Sequence, residues 1–246
     1  MKPLSINQIF SALTKIIENA QELVEDAELL LENNRYARAF ALAHLASEEL
    51  VKFQFLLPVA SELARNHNVN WKEINKGLRD HRVKIGGAIL LNFMFEPPQG
   101  GVYQASELLQ QMSTLKDKND MKNFSLYASQ NGHDYFKPSE LIDEQVAVEC
   151  VSRARELFMR FRMVYSALFA LTEMTEEGLR QFIEMPEFQT LLHALGSKTD
   201  LSYFPVLDKQ HSIADITAIL NDPTFQPLLV QFSTLAEQAS QSLNQT

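Results

Sequence analysis

Cysteine is almost missing from this chain. Cys150 stands alone among 246 residues, so no intrachain disulfide can form, and neither it nor the histidines fall at the spacings of a zinc site. The acidic pairs Asp117/Asp120 and Asp143/Glu144 likewise lack a metal-ligand pattern. No glycine-rich phosphate loop is present, which removes the usual apparatus of nucleotide hydrolysis. No metal and no cofactor are assigned. Glycine and proline are scarce, at eight and nine, and apolar/polar alternation of period two is rare, so strands should be few or absent. No uninterrupted apolar run is long enough to cross a bilayer, and Met1-Lys2-Pro3-Leu4-Ser5-Ile6 lacks the apolar core of a signal peptide. A soluble, cytoplasmic protein with no membrane attachment is expected. Positive charge is also in deficit, 22 Lys and Arg against 31 Asp and Glu. The net charge of −9 argues against broad attraction to nucleic-acid phosphates, although a local cluster such as Arg79, Arg82 and Lys84 can still contact one RNA segment.

What remains is rich in Ala, Leu, Glu and Gln with three-and-four apolar spacing, which reads as an all-α fold. The first helix is expected over residues 5–32, its buried stripe formed by Ile9, Leu13, Ile16, Ala20, Leu23, Ala27 and Leu30. Asn33-Asn34 makes the turn. A second helix runs over 35–57, kinked or ended by Pro58, and Asn66-His67-Asn68 closes that region. A third spans about 70–93, before Glu96-Pro97-Pro98-Gln99-Gly100-Gly101 breaks the pattern. Another helix is read over 104–118, then a mixed stretch 122–135 with a turn at Asn131-Gly132. Pro138 opens a long helix over 139–171, carrying the stripe Val146, Cys150, Ala154, Leu157, Phe161, Val164 and Leu168. Residues 1–171 thus form a helical bundle, and 172–246 a small helical C-terminal extension. In the extension Met185-Pro186-Glu187-Phe188 is echoed by Asp222-Pro223-Thr224-Phe225, each placing proline in a first helical turn.

The chemistry-bearing stretch is residues 33–52. At about 100° per residue, Arg38, Glu48, Glu49 and Lys52 fall within roughly a third of the helix circumference, opposite Phe40, Ala43, Leu50, Val51 and Leu57. One face packs and the other presents charge. The bland reading is a solvated face with intrahelical pairs of about 0.2–0.5 kcal/mol each. Some thirty residues later comes Arg79-Asp80-His81-Arg82-Val83-Lys84, where His81 and Lys84 share a helical face and Leu78, His81, Ile85 and Ala88 lie on one stripe at the core edge. A histidine hydrogen-bonded to a bundle neighbour is as common there as a catalytic one. The two segments together suggest one composite polar site, with His81, Lys84, Glu49 and Lys52 converging in a single groove.

With its surroundings, this combination resembles the AbiV family of bacterial abortive-infection proteins, grouped with the HEPN superfamily of helical bundles. The matching residues run from Asn19-Ala20 to Asp26-Ala27, then Arg35-Tyr36, Ala46-Ser47-Glu48-Glu49-Leu50-Val51-Lys52, His81 with Lys84, Ser125-Leu126-Tyr127 and Lys137-Pro138-Ser139-Glu140. Val51 and Ala128-Ser129 stand where the family pattern carries a glycine and an acidic residue. The resemblance covers roughly residues 10–170 and implies an HEPN-like bundle, pairing as a homodimer, in antiphage defence. HEPN ribonucleases carry an arginine followed four to six residues later by histidine, late in the bundle. The one formal match here, Arg38 to His44, lies in the second helix, and 139–171 contains arginines but no histidine. The resemblance therefore implies first a protein that binds a phage-protein trigger or a translation-related partner. The alternative is a metal-independent ribonuclease acting on host or phage RNA, with His81 as general acid or base, Lys84 or Lys52 meeting phosphorane charge and Glu49 orienting a partner. Arg79, Arg82, Arg38 and Tyr127 are the candidate contacts to that RNA or partner.

Overall fold

The computed structural model describes residues 2–95, 105–131 and 134–185. It is all-α apart from one small hairpin. Helix α1 (Ile6–Glu32) begins at a capping box, in which Ser5 Oγ accepts from the Gln8 amide and the Gln8 side chain accepts from the Ser5 amide. It ends where the Arg35 amide reaches back to the Leu30 carbonyl and that of Asn34 to Leu31, with Asn34 left-handed at φ 57°. Helix α2 (Tyr36–Ala64) closes the same way: His67 bonds back to Glu62 and Asn66, at φ 58°, to Leu63. Asparagine tolerates that conformation better than most residues, which is why both expected turns form where they do.

Helix α2 does not stop at Pro58. It runs on to Ala64, with every residue from Phe53 to Ser61 buried. The missing proline donor costs a helix interior about 3 kcal/mol, and burial of Phe55, Leu56, Leu57, Val59 and Ala60 outweighs it. The reason is position: α2 is the central helix, packed by α1, by α8 (Glu144–Thr172) and by the helices described next. A helix covered on most sides keeps little solvent face, here Arg38 near its start.

The single helix expected over 70–93 is two. Helix α3 (Trp71–Arg79) ends at Asp80, whose backbone is extended, and α4 (His81–Phe95) starts there because Asp80 Oδ1 accepts from the amides of Arg82 and Val83. Likewise 104–118 divides at Thr114 into α5 (Ala105–Ser113) and α6 (Leu115–Leu126). Strands β1 (Ser129–Asn131) and β2 (Asp134–Phe136) pair antiparallel, Gln130 opposite Tyr135, around the expected turn, of which Gly132 lies outside the described residues. Pro138 opens only the short α7 (Pro138–Leu141), and α8 starts afresh after Asp143, whose carboxylate accepts from the Val146 amide. Helix α9 (Glu176–Glu184) buries Leu179 and Ile183 in the main core, while Arg180 donates to the Leu63 and Ala64 carbonyls at the end of α2. The proline-rich stretch at 96–101, the internal echo and the remainder of the extension lie outside the described residues. No described helix is long and apolar enough to cross a membrane.

Helix α4 approaches α2 closely at Gly87. A Cβ there would lie 2.5 Å from Val51 Cγ1 and 2.8 Å from Gln54 Oε1. Gly87→Ala is expected to force the two helices apart and destabilise the protein by about 1–3 kcal/mol, a fall of roughly 2–4 °C in Tm per kcal/mol for a chain of this size. An unchanged thermal melt would show that α4 is free to shift.

Candidate functional site

The Glu48 carboxylate lies in the middle of the bundle. Its side chain is 2% exposed, on a stretch of α2 where Ala37, Ala39, Ala41, Ala43 and Ala46 are buried and let neighbouring helices approach closely. Three helices deliver groups to its two oxygens. Oε2 accepts from His81 Nδ1 at 2.6 Å and from Lys84 Nζ at 2.8 Å, both on α4. Oε1 meets Lys122 Nζ of α6 at 3.3 Å, and His44 Nε2, one turn earlier on α2, stands 3.6 Å away. Lys84 and Lys122 are buried with it. Only His81, 52% exposed, reaches solvent.

Burial alone would push the Glu48 carboxyl up. The hydrogen bond and charge of Lys84, the charge of Lys122 and the hydrogen bond from His81 outweigh that and hold it below the usual glutamate range. Ionised, it can only accept, so His81 donates to it through Nδ1–H. His44 behaves oppositely. Burial pushes its pKa down to about 4; Glu48 opposes this, while Lys122, Lys118 and His81 add to it. The ring is therefore neutral at pH 7, and at 3.6 Å its Nε2 is too far from Glu48 for a hydrogen bond. A cavity of about 180 Å³ lies beside it, walled by Phe40, His44, Glu48, Asn92 and Cys150. Burial pushes the Cys150 thiol up to about 12, so it is no nucleophile. Among the described residues no three His, Cys, Asp or Glu side chains gather as a metal-binding group.

The structure brings together part of the expected constellation. His81 and Lys84 meet, but on Glu48, one residue before Glu49, the carboxylate expected in the site. Glu49 pairs instead with Lys52 at 2.5 Å on the same helix. Arg38 and His44 lie six residues apart, roughly 120° around α2. Arg38 is exposed and donates to the Leu126 carbonyl, whereas His44 faces inward. Arg79 and Arg82 are exposed on either side of the Asp80-His81 corner, and Tyr127, 66% exposed, follows α6. The sequence reading missed Glu48 as the hub and Lys122 altogether. A signal existed: Lys118, Lys122 and Ser125 form a polar stripe at four-and-three spacing, of which Lys122 and Ser125 are buried.

The model of the family described as AbiV, HEPN_AbiV, matches residues 8–158. No curated protein and no solved structure matches the chain.

Two changes probe the cluster. Glu48→Gln leaves two buried ammonium groups without a counter-charge and is expected to destabilise by about 3–5 kcal/mol, read as a fall in Tm. The pH dependence has a definite sign. His44 is depressed from 6.5 to about 4, so below pH 6.5 the unfolded chain binds a proton that the native ring refuses. Stability falls between pH 6.5 and 4, by about 3 kcal/mol at the lower end. Glu48, also depressed, adds a loss in the same direction at lower pH. Melts of His44→Gln should be flatter than wild type across pH 6.5 to 4; an identical slope would remove His44 as the cause.

Proposed function

Since the chain belongs to the AbiV family of HEPN abortive-infection proteins, we propose that it acts in the cytoplasm by binding a phage protein or a translation-related partner through the corner where α3 meets α4. The observation behind this reading is the division of labour in the Glu48 cluster. Both ammonium groups point inward at Glu48, and the imidazole alone points out. Phosphoryl transfer calls for preorganised positive charge aimed at the scissile phosphate, and neither Lys84 nor Lys122 is aimed outward. The cluster instead holds His81 in a fixed place through Nδ1, as a recognition surface requires.

The second reading, a metal-independent ribonuclease, is favoured by the Glu48–His81 pair itself. A buried carboxylate that fixes Nδ1–H leaves Nε2 in the position of a general base. Purified protein incubated with total RNA, with and without chelator, separates the two readings. Intact RNA supports partner binding, and chelator-insensitive degradation that disappears in His81→Ala supports the nuclease. Either activity is expected from a homodimer that brings two copies of the corner to one cleft. Light scattering should give twice the chain mass at micromolar concentration, and a monomer throughout would count against pairing.

His81→Ala is expected to abolish phage protection in plaque counts while the protein stays folded, losing about 1.5–3 kcal/mol for the hydrogen bond to a carboxylate that Lys84 and Lys122 still neutralise. Lys84→Ala should lower Tm by the equivalent of several kcal/mol, since its ammonium is buried against Glu48. Full protection with His81→Ala would remove the corner from the function.

A further inference from the structure

The geometry points to α3 as a docking surface for single-stranded nucleic acid, with Lys72, Lys76 and Arg79 meeting the phosphates and Trp71 stacking on a base. This rests on the reading above and, of its two partners, takes the translation-related one and gives it a chemistry. Lys72, Lys76 and Arg79 are exposed and, at about 100° per residue, lie within roughly 60° of one another on α3. The opposite side of the helix buries Ile74 and Gly77 against the core. None of the three cations meets a carboxylate among the described residues. Beside them runs an open groove of about 660 Å³, lined by Trp71, Lys72, Asn75, Lys76, Arg79 and Asp80. Its one acidic wall residue, Asp80, turns Oδ1 to the Arg82 and Val83 amides at the start of α4.

In a protein of net charge −9, three unpaired cations on one face form a local field of opposite sign, which concentrates a polyanion there. Lys72 to Arg79 spans about 10 Å at 1.5 Å per residue, long enough to lie along more than one phosphate of a strand. Trp71, the only tryptophan, packs partly on the main core and also lines the groove. A base stacked on such a ring contributes about 1–3 kcal/mol. A duplex keeps its bases stacked internally and offers the ring nothing, and an acidic peptide has no base to stack; both are the weaker fits. The groove ends at Asp80, so a strand laid along α3 arrives next at His81.

The single tryptophan makes the test direct. The full chain is titrated with a 12-nucleotide single-stranded RNA, the same sequence as DNA, its duplex, inorganic polyphosphate and polyglutamate, following Trp71 fluorescence. Quenching by single strands is expected, with log affinity falling against log salt at a slope of about −2 for three phosphate contacts. The RNA and DNA arms report which sugar is preferred, and either supports the surface. Lys76→Glu with Arg79→Glu should weaken binding at least tenfold with an unchanged melt. Lys15→Glu with Arg162→Glu, the same charge change on exposed residues of α1 and α8, should leave binding intact. Equal binding of duplex, polyphosphate or polyglutamate, an absence of quenching, or equal losses in both double variants would each overturn the proposal. Plaque counts separate it from the defence reading. Protection retained when the α3 variant loses binding sinks the defensive role of this corner and leaves the surface standing. Absent binding while His81→Ala still loses protection sinks the surface alone.

Discussion

An ionised carboxylate cannot sit in the centre of a helical bundle unless its charge and lone pairs are met, because burial without partners costs several kcal/mol. Glu48 imposes that condition on its surroundings. One oxygen takes Lys84 and His81, the other takes Lys122, and these come from α4 and α6, which must dock against α2 at the one rotation that satisfies both. The close passage of α4 at Gly87 and the fresh helix start at Asp80 are the local adjustments that let Lys84 and His81 reach the same oxygen.

The same condition explains how the site divides. The charges that would make a catalytic cluster reactive are turned inward and neutralised, and a single imidazole emerges, held from below through Nδ1. Arg79 and Arg82 are exposed beside that imidazole and the basic stripe of α3 leads to it, so the proposed binding corner is centred there. Antiphage defence by abortive infection follows from the family, and the proposed binding corner gives it a physical location.

Element ends were legible where the chemistry is local. Ser5 and the Asn34 and Asn66 turns each depend on residues within one helical turn, so composition and spacing suffice. Pro58 misled because its cost is local while the burial that outweighs it comes from other helices. Asp80 misled because an aspartate inside an apolar periodicity reads as a surface residue unless its side chain is seen to cap the next helix. Glu48 misled most. A wheel drawn for one helix assigns charged residues to solvent, and nothing in the wheel says that α2 is covered around Glu48.

The amino-acid sequence by itself determined the all-α class, the stripes that build the main core and the two segments that carry the chemistry, since periodicity and capping act over a few residues. Only the tertiary structure decided which carboxylate is the hub, that Lys122 joins it from the start of a stretch that reads as mixed, and that Glu49 and Lys52 pair with each other. Those outcomes depend on how far a side chain is removed from water and which distant group replaces it. Burial is a property of the packed assembly of helices, and no single helix encodes it.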